Sequence, residues 1–327
     1  MTQQTMPRRA ALALPSLLLP RLAAAQPAPF PSHPVTLIVG FSPGGGTDIL
    51  CRLLAPKLTE EFGQPVAVEN RTGAAGTLAA AATARARPDG HTMTMGTVSG
   101  NVVAPLSMRP PPFDPVRDLT PVMLVASVPL VAVVPAGSPV RSIADLTALA
   151  RARPGGLNFS SNGPGSSMHI AAEIYMRETG TRMTHVPGRG SAQSMQALLS
   201  GQVDVVFDTL STTLPFLRQG TLRGLAVTTA ARSDWVPELP TMAEAGVPGF
   251  DIDVWYMLYG PRDLPAPVAE RWAAALTRAL TPPEMRRRLR DAGFDVRTGT
   301  PAEAAALVRA EVERYGALLR AAGIPGE

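Results

Sequence analysis

Between Val35 and Val227, short and continuously apolar runs alternate with stretches whose apolar residues recur at helical spacing. The runs read as buried strands and the periodic stretches as amphipathic helices. Strands are expected at Val35–Val39, Val66–Glu69, Thr92–Met95, Pro121–Ala126, Leu130–Val134, Leu157–Phe159, Met183–Val186, Val203–Phe207 and Gly224–Val227. Helices are expected between them, at Asp48–Glu61, Thr77–Arg85, Ile143–Arg151, Ser167–Glu178, Ala192–Leu199 and Thr212–Gln219. This alternation predicts an α/β fold with mostly parallel sheets. The pattern then changes: DIDVWYMLYGP reads as one strand, and helices follow in PAPVAERWAAALTRAL, PPEMRRRLRDAG and PAEAAALVRAEVERYGALLRAAG. The last is long and Ala-rich, suited to clamping across a finished domain. TPVMLVASVPLVAVVPAG, two apolar strands around Pro129, reads as a crossing between two lobes, and VPGFDIDVWYM as the return.

The first residues belong to neither pattern. A basic segment with Arg8 and Arg9, the short apolar run AALALPSLLLP and the small residues of RLAAAQ have the layout of a secretory signal, with cleavage expected after Ala25. The apolar run is too short to span a bilayer. An exported, periplasmic protein is the expectation.

Composition narrows the function classes. The 327 residues, 45% of them hydrophobic, can fill one sizeable core or two smaller ones. Net charge is only +4 and aromatics are 5%, without a basic block interleaved among them, which argues against a nucleic-acid surface. The cluster Arg286, Arg287, Arg288 and Arg290 alternates with Glu284 and Asp291 and reads as a solvated helix face. Cys51 is the single cysteine, so an intrachain disulfide or Cys-based zinc site is ruled out. In DILCRLL it reads as a small buried apolar residue.

Two glycine-rich turns carry the candidate chemistry. GFSPGGGTD, Gly40 to Asp48, joins a strand to a helix as a phosphate loop does. It lacks the lysine of G-x-x-x-x-G-K-[ST], and Gly44-x-Gly46 is followed by Ile49 where G-x-G-x-x-G needs glycine. What remains is a helix start with Gly44, Gly45 and Gly46 letting a ligand approach the backbone and Thr47 or Asp48 as cap. Free N–H groups and the positive end of the helix dipole favour a carboxylate there. A bulky residue at Gly45 is expected to block that approach. LNFSSNGPGSSMHIAAEIYM repeats the design, with Ser160, Ser161, Asn162, Gly163 and Gly165 before Ser166 and Ser167. Two such starts in different halves of the chain can pinch one anion. A third turn, RTGAAGT with Gly73 and Gly76, is poorer in polar groups.

Enzyme signals are weaker. G-x-S-x-G is absent, because Ser166 is displaced within Gly163-Pro164-Gly165-Ser166. His169 and Glu173 share a helix face without further metal ligands. Asp204 and Asp208 share a strand face and can be read as an acid–base pair. Asp208, at the strand's C-terminal end, points more naturally to ligand contact.

With these residues placed, the chain resembles the Bug family, extracytoplasmic solute receptors of tripartite tricarboxylate transporters. The resemblance spans nearly the whole mature chain. It rests on FSPGGGTDILCRLLAPKLTEEFGQPVAVENRTGAAG, RPDGHTMTMGT, FDPVRDLTPVMLVASVPLVAVV, SNGPGSSMHIAAEIY, LLSGQVDVVFDTLSTTLPFLRQGTLRGLAVTTAARS and LPTMAEAGVPGF, in that order. It implies a two-lobed periplasmic-binding-protein type II fold with the ligand between lobes, residues 26–128 plus 252–327 forming one and residues 129–251 the other. It implies a carboxylate held, partly through water, by Phe41, Ser42, Gly44, Gly45, Gly46, Thr47 and Asp48 of the opening turn and by Ser160, Ser161, Asn162, Gly165, Ser166 and Ser167 of the second, with Asp208. It implies a monomeric receptor without cofactor, serving membrane permease subunits. Gly188-Arg189 replaces an aromatic and a lysine common in the family, and Pro164 enters a usually more polar loop, so the cleft wall is altered. A receptor for a signalling partner and an extracytoplasmic enzyme using Asp204 and Asp208 stay open as alternatives.

Overall fold

Each apolar run becomes a strand, and in the computed structural model the strands join into one continuous hydrogen-bonded network. The structure describes Thr2 and residues 30–321; apart from Thr2, the export segment Met1–Ala25 lies outside the described residues. The strands are β1 (Val35–Val39), β2 (Val66–Asn70), β3 (Thr92–Thr97), β4 (Leu119–Pro135), β5 (Asn158–Ser161), β6 (Thr184–Pro187), β7 (Val205–Thr209), β8 (Leu222–Val227), β9 (Asp253–Pro261) and β10 (Asp295–Val296). The helices are α1 (Gly46–Phe62), α2 (Thr77–Ala84), α3 (Ala104–Ser107), α4 (Ile143–Ala152), α5 (Ser167–Thr179), α6 (Ser191–Leu199), α7 (Leu210–Arg218), α8 (Ala266–Leu280), α9 (Pro283–Asp291) and α10 (Pro301–Ala321).

The strand order is β2-β1-β3-β9-β4-β7-β5-β6, with β8 and β10 also paired to β4. β1 runs parallel to β2 and β3, and β5 runs parallel to β6 and β7. β9 is antiparallel to β3 and β4, and β4 is antiparallel to β7 and β8. The α/β fold with two parallel halves is therefore present.

One expectation needs correction. Pro121–Ala126 and Leu130–Val134 are not two strands but parts of the single 17-residue β4. Pro129 does not break it because the ladder changes partner there: Pro129 still faces Asp253 of β9, and Leu130 faces Thr209 of β7. A residue without an N–H is tolerated where one ladder ends and another begins. The return path is stitched to the same point. Thr228 donates its N–H to the Leu130 carbonyl at 3.0 Å and its hydroxyl to the Ile252 carbonyl at 2.6 Å, while Leu130 N–H donates to Thr228 Oγ1 at 3.2 Å.

The larger core runs through this crossing, from Leu37, Leu54, Tyr259 and Trp272 by way of Val128 and Leu130 to Phe159, Tyr175 and Phe207, and a smaller one gathers Val131, Val206, Met195, Leu198 and Leu214 under α6 and α7. α10 packs on β4, burying Val308 and Tyr315, and Trp255 Nε1 donates to Glu311 Oε2 at 3.2 Å. The long C-terminal helix thus clamps the sheet. Cys51 is fully buried, and burial pushes its thiol far up, so it is an inert core residue.

Candidate functional site

The parallel strands deliver their C-terminal ends to one place, where α/β folds build ligand sites. β1 leads through Phe41, Ser42 and Pro43 into Gly44, whose φ of +80° is left-handed and suits glycine. Gly45 caps α1 in an extended conformation and supplies no side-chain hydrogen bond. Ile49 N–H bonds the Gly45 carbonyl, whereas no protein acceptor is found among the described residues for the N–H groups of Gly46, Thr47 and Asp48. Three aligned donors at a helix start form a cradle for an anion.

Asp48 does not reach into that cradle. Its Oδ2 accepts from Gly44 N–H at 3.0 Å and from Arg52 Nε at 2.9 Å, and its Oδ1 accepts from Asn70 Nδ2 at 2.9 Å. Burial opposes its ionisation, yet the bonds from Arg52, Gly44 and Asn70 hold the carboxyl below the usual carboxylate range. Asp48 fastens the turn shut.

The second turn follows β5. Gly163 and Gly165 take left-handed φ values of 109° and 73°. Ser166 caps α5, its Oγ accepting from His169 N–H at 3.3 Å. Ser167 N–H donates to Ser99 Oγ at 2.9 Å, and the two hydroxyls lie 2.8 Å apart. Behind the turn, Ser160 pairs with Ser194 at 3.1 Å, and Ser161 Oγ meets His185 Nε2 at 2.7 Å. Burial, then the neighbouring His169 ring, lowers the His185 pKa to about 4, so that imidazole is neutral.

Between the two helix starts lies a narrow cavity. Phe41, Gly45, Gly46 and Thr47 line it from one side and Asn162, Ser167 and Met168 from the other. Thr97 ending β3 and Ser99 just after it, Ser191 opening α6, Thr209 ending β7, and Val254 and Tyr256 of β9 complete it. No charged side chain is among these residues. About 20 Å³ is open to the centre of a water molecule, room for roughly one water.

Of the residues read from the sequence, Phe41, Gly45, Gly46, Thr47, Asn162 and Ser167 line this space, while Ser42, Gly44, Asp48, Ser160, Ser161, Gly165 and Ser166 form the frame behind it. Asp208 is also behind the wall, fully buried. Its Oδ1 accepts from Ser191 Oγ at 2.8 Å and from Thr209 N–H at 2.6 Å, and Oδ2 has no partner. Burial pushes its carboxyl up to about 7 against the lowering effect of those bonds.

Gly46 is the glycine that the protein itself requires. A Cβ at Gly45 would meet only ordinary contacts, Ser42 O at 3.4 Å and Ser191 Cβ at 3.9 Å, whereas one at Gly46 would collide with Tyr256 Oη and with Ser211 Oγ at 2.6 Å. The third turn is packing: a Cβ on Gly76 would stand 2.9 Å from the Phe41 ring, and one on Gly40 would stand 2.8 Å from Gly76 Cα. Asp204 is exposed and accepts from Asn158 N–H at 2.7 Å, so it and the sealed Asp208 occupy separate environments. His169 and Glu173 pair at 3.4 Å, and among the described residues no group of three His, Cys, Asp or Glu gathers to hold a metal. Arg189 is exposed, and Gly188 N–H ties to Ser161 O at 2.8 Å.

Sequence reasoning missed Thr97, Ser99, Met168, Ser191, Thr209, Val254 and Tyr256. The signal for Thr97, Ser191 and Thr209 was their place at or just past strand ends. Nothing local marks Val254 or Tyr256, which arrive from the returning strand.

Comparison with known proteins agrees with this geometry. Residues 50–324 match the family model described as tripartite tricarboxylate transporter family receptor. The chain is 36% identical over 291 residues, 89% of this chain and 86% of the relative, to a UPF0065 protein from the tcbD-tcbE intergenic region of Pseudomonas sp. (strain P51). It is 32% identical over 295 residues, 90% of each chain, to protein BugT of Bordetella pertussis. Among solved structures, R. palustris Rpa4515 with adipate superposes with a TM-score of 0.86 at 36% identity, covering 90% of this chain and 98% of that one. MatC of Rhodopseudomonas palustris with bound malate gives 0.85 at 33%, covering 89% and 100%. The periplasmic binding protein BugD gives 0.87 at 29%, covering 91% and 100%. On this match along most of its length, the chain belongs to the tripartite tricarboxylate transporter receptor family, the Bug-type periplasmic binding proteins.

Proposed function

We propose that this receptor captures a small organic acid by its carboxylate between two lobes, residues 26–128 plus 252–327 and residues 129–251. It releases the acid unchanged to the membrane permease of a tripartite tricarboxylate-type transporter. The protein acts as a monomer in the periplasm after removal of Met1–Ala25. The observation that carries the reading is the row of unpaired N–H groups at Gly46, Thr47 and Asp48, the first two on residues lining a cavity without charged side chains. Such a site neutralises an anion by dipoles and hydroxyls, as helix starts do. The adipate and malate of the related structures support a carboxylate as the ligand class.

Space for about one water cannot accept such an acid, so the lobes open to admit it. Periplasmic binding proteins as a class close by hinge motion, and the bonds joining Leu130, Thr228 and Ile252 support a pivot at the crossing. A thermal-shift screen of small carboxylic acids on the mature protein tests the reading. A ligand at 100 times its dissociation constant adds about 2.7 kcal/mol. A panel in which no carboxylate shifts the transition contradicts it.

A further inference from the structure

The walls of the cavity differ in hydrogen-bond polarity. At the start of α1 every backbone group on offer is a donor. On another side the cavity is lined by Ser191, whose hydroxyl proton is already committed: Ser191 Oγ donates to Asp208 Oδ1 at 2.8 Å. A serine hydroxyl has one proton and two lone pairs. With the proton turned inward, Ser191 presents only lone pairs to the cavity.

Asp208 holds that direction. It is fully buried at the end of β7, flanked by β4 through Val131 and by Thr209 and Ser191. Oδ1 also accepts from Thr209 N–H at 2.6 Å and from Thr209 Oγ1 at 3.3 Å. The inward bond survives a change of charge on Asp208. Ionised, Oδ1 accepts; with a proton on the partnerless Oδ2, Oδ1 is the carbonyl oxygen and still accepts. Thr209, the neighbouring hydroxyl, is saturated by protein partners, with Thr212 Oγ1 at 3.1 Å and Ser211 Oγ at 3.2 Å. Ser191 therefore offers a ligand acceptance alone, unlike the Thr47 hydroxyl on the same cavity, whose proton has no protein acceptor among the described residues. Asn162 Oδ1, buried without a donor, adds a second on the same cavity.

A carboxylate oxygen turned toward Ser191 would meet lone pairs. A hydroxyl or amino group would meet an acceptor whose own proton is held by a carboxyl, and such chains of hydrogen bonds reinforce one another. We infer that the receptor selects carboxylic acids carrying a hydroxyl or amino donor near the captured carboxylate, with Ser191 as the specificity-determining acceptor and Asp208 as its positioning residue. The inference rests on the carboxylate-capture reading above and names its substrate class more narrowly.

Isothermal calorimetry on matched acids tests it: malate, aspartate and succinate; lactate, alanine and propionate. For the pairs that bind, the acid with the donor is expected to bind at least about tenfold tighter than its unsubstituted partner. Ser191→Ala should remove that preference, weakening the acid with the donor far more than its unsubstituted partner. Ser191→Thr, which keeps the hydroxyl, should retain it. Asp208→Asn, whose amide can donate to Ser191 and release its proton toward the cavity, should shrink the preference even where overall affinity is kept. A purely structural role for Asp208 would lower all affinities together. The hydroxyl and amino arms separate the two donor sources. An unsubstituted acid that binds as tightly as its substituted partner overturns the inference and leaves carboxylate capture standing. Failure of every acid to bind overturns both.

Discussion

Tyr256 closes over Gly46: its phenol oxygen occupies the place a Cβ at Gly46 would need, with Ser211 Oγ 2.6 Å from the same point. The tyrosine comes from β9 and the glycine from the first turn of α1. Backbone N–H groups can face the cavity there because no side chain intervenes.

Gly46→Val should therefore abolish measurable carboxylate binding and destabilise the protein by about 1–3 kcal/mol through overpacking. Gly45→Ala, whose Cβ meets Ser42 O at 3.4 Å and Ser191 Cβ at 3.9 Å and whose φ is −79°, should fold normally. Calorimetry and urea denaturation of both variants check the contrast; equal behaviour would refute the role given to Gly46.

Ser166 acts on the helix more than on the ligand. Its hydroxyl caps α5 by accepting from His169 N–H at 3.3 Å. Ser166→Ala should lower stability by about 1 kcal/mol, the usual worth of such a cap. Affinity should change less than threefold, in contrast to the roughly tenfold loss expected of a direct contact. Denaturation and calorimetry on the same preparation separate the two.

The crossing is stitched by one side chain. Thr228→Val leaves Leu130 N–H without its side-chain acceptor and the Ile252 carbonyl without its side-chain donor, where Oγ1 now lies at 3.2 and 2.6 Å. Unmatched buried groups of this kind cost about 1–3 kcal/mol. A midpoint in urea equal to that of the wild type would contradict the assignment.

Two buried groups give opposing pH signatures. Burial raises the Asp208 carboxyl from 3.8 to about 7, so the folded state holds its proton more tightly than the unfolded chain. Its contribution is fully present below pH 3.8 and is lost as pH rises to 7, on the order of 4 kcal/mol over that window. Burial and the His169 ring lower His185 from 6.5 to about 4, so its contribution is present above pH 6.5 and is lost as pH falls toward 4. Relative to wild type, Asp208→Asn should gain stability between pH 4 and pH 7.5. His185→Gln should lose relative stability over the same range. Urea midpoints at both ends of that range read the signs directly.

The regular elements were legible because apolar runs and helical spacing survive in β1, α1, β5 and α5 regardless of context. The glycines of the opening turn and the serines of the second carried the idea of paired helix starts. What local pattern could not show was direction. The cap roles of Asp48 and Ser166 were legible, but Asp208 has the chemistry of a ligand group and instead bonds to its own frame, through Ser191, and Asp48 is fixed from far along the chain by Asn70. Tyr256 and Val254 meet the cavity only because an antiparallel strand returns between β3 and β4. The continuity of β4 through Pro129 was hidden because proline usually signals an end.

The central claim is that a carboxylate is held by backbone N–H groups at two helix starts. Amide-resolved ¹H–¹⁵N NMR during titration with the tightest acid from the screen tests it most directly. The account predicts that the amides of Gly46, Thr47, Asp48 and Met168 shift downfield the furthest and saturate with the calorimetric dissociation constant. Stationary signals at these four amides, with the largest shifts elsewhere in the chain, would contradict it.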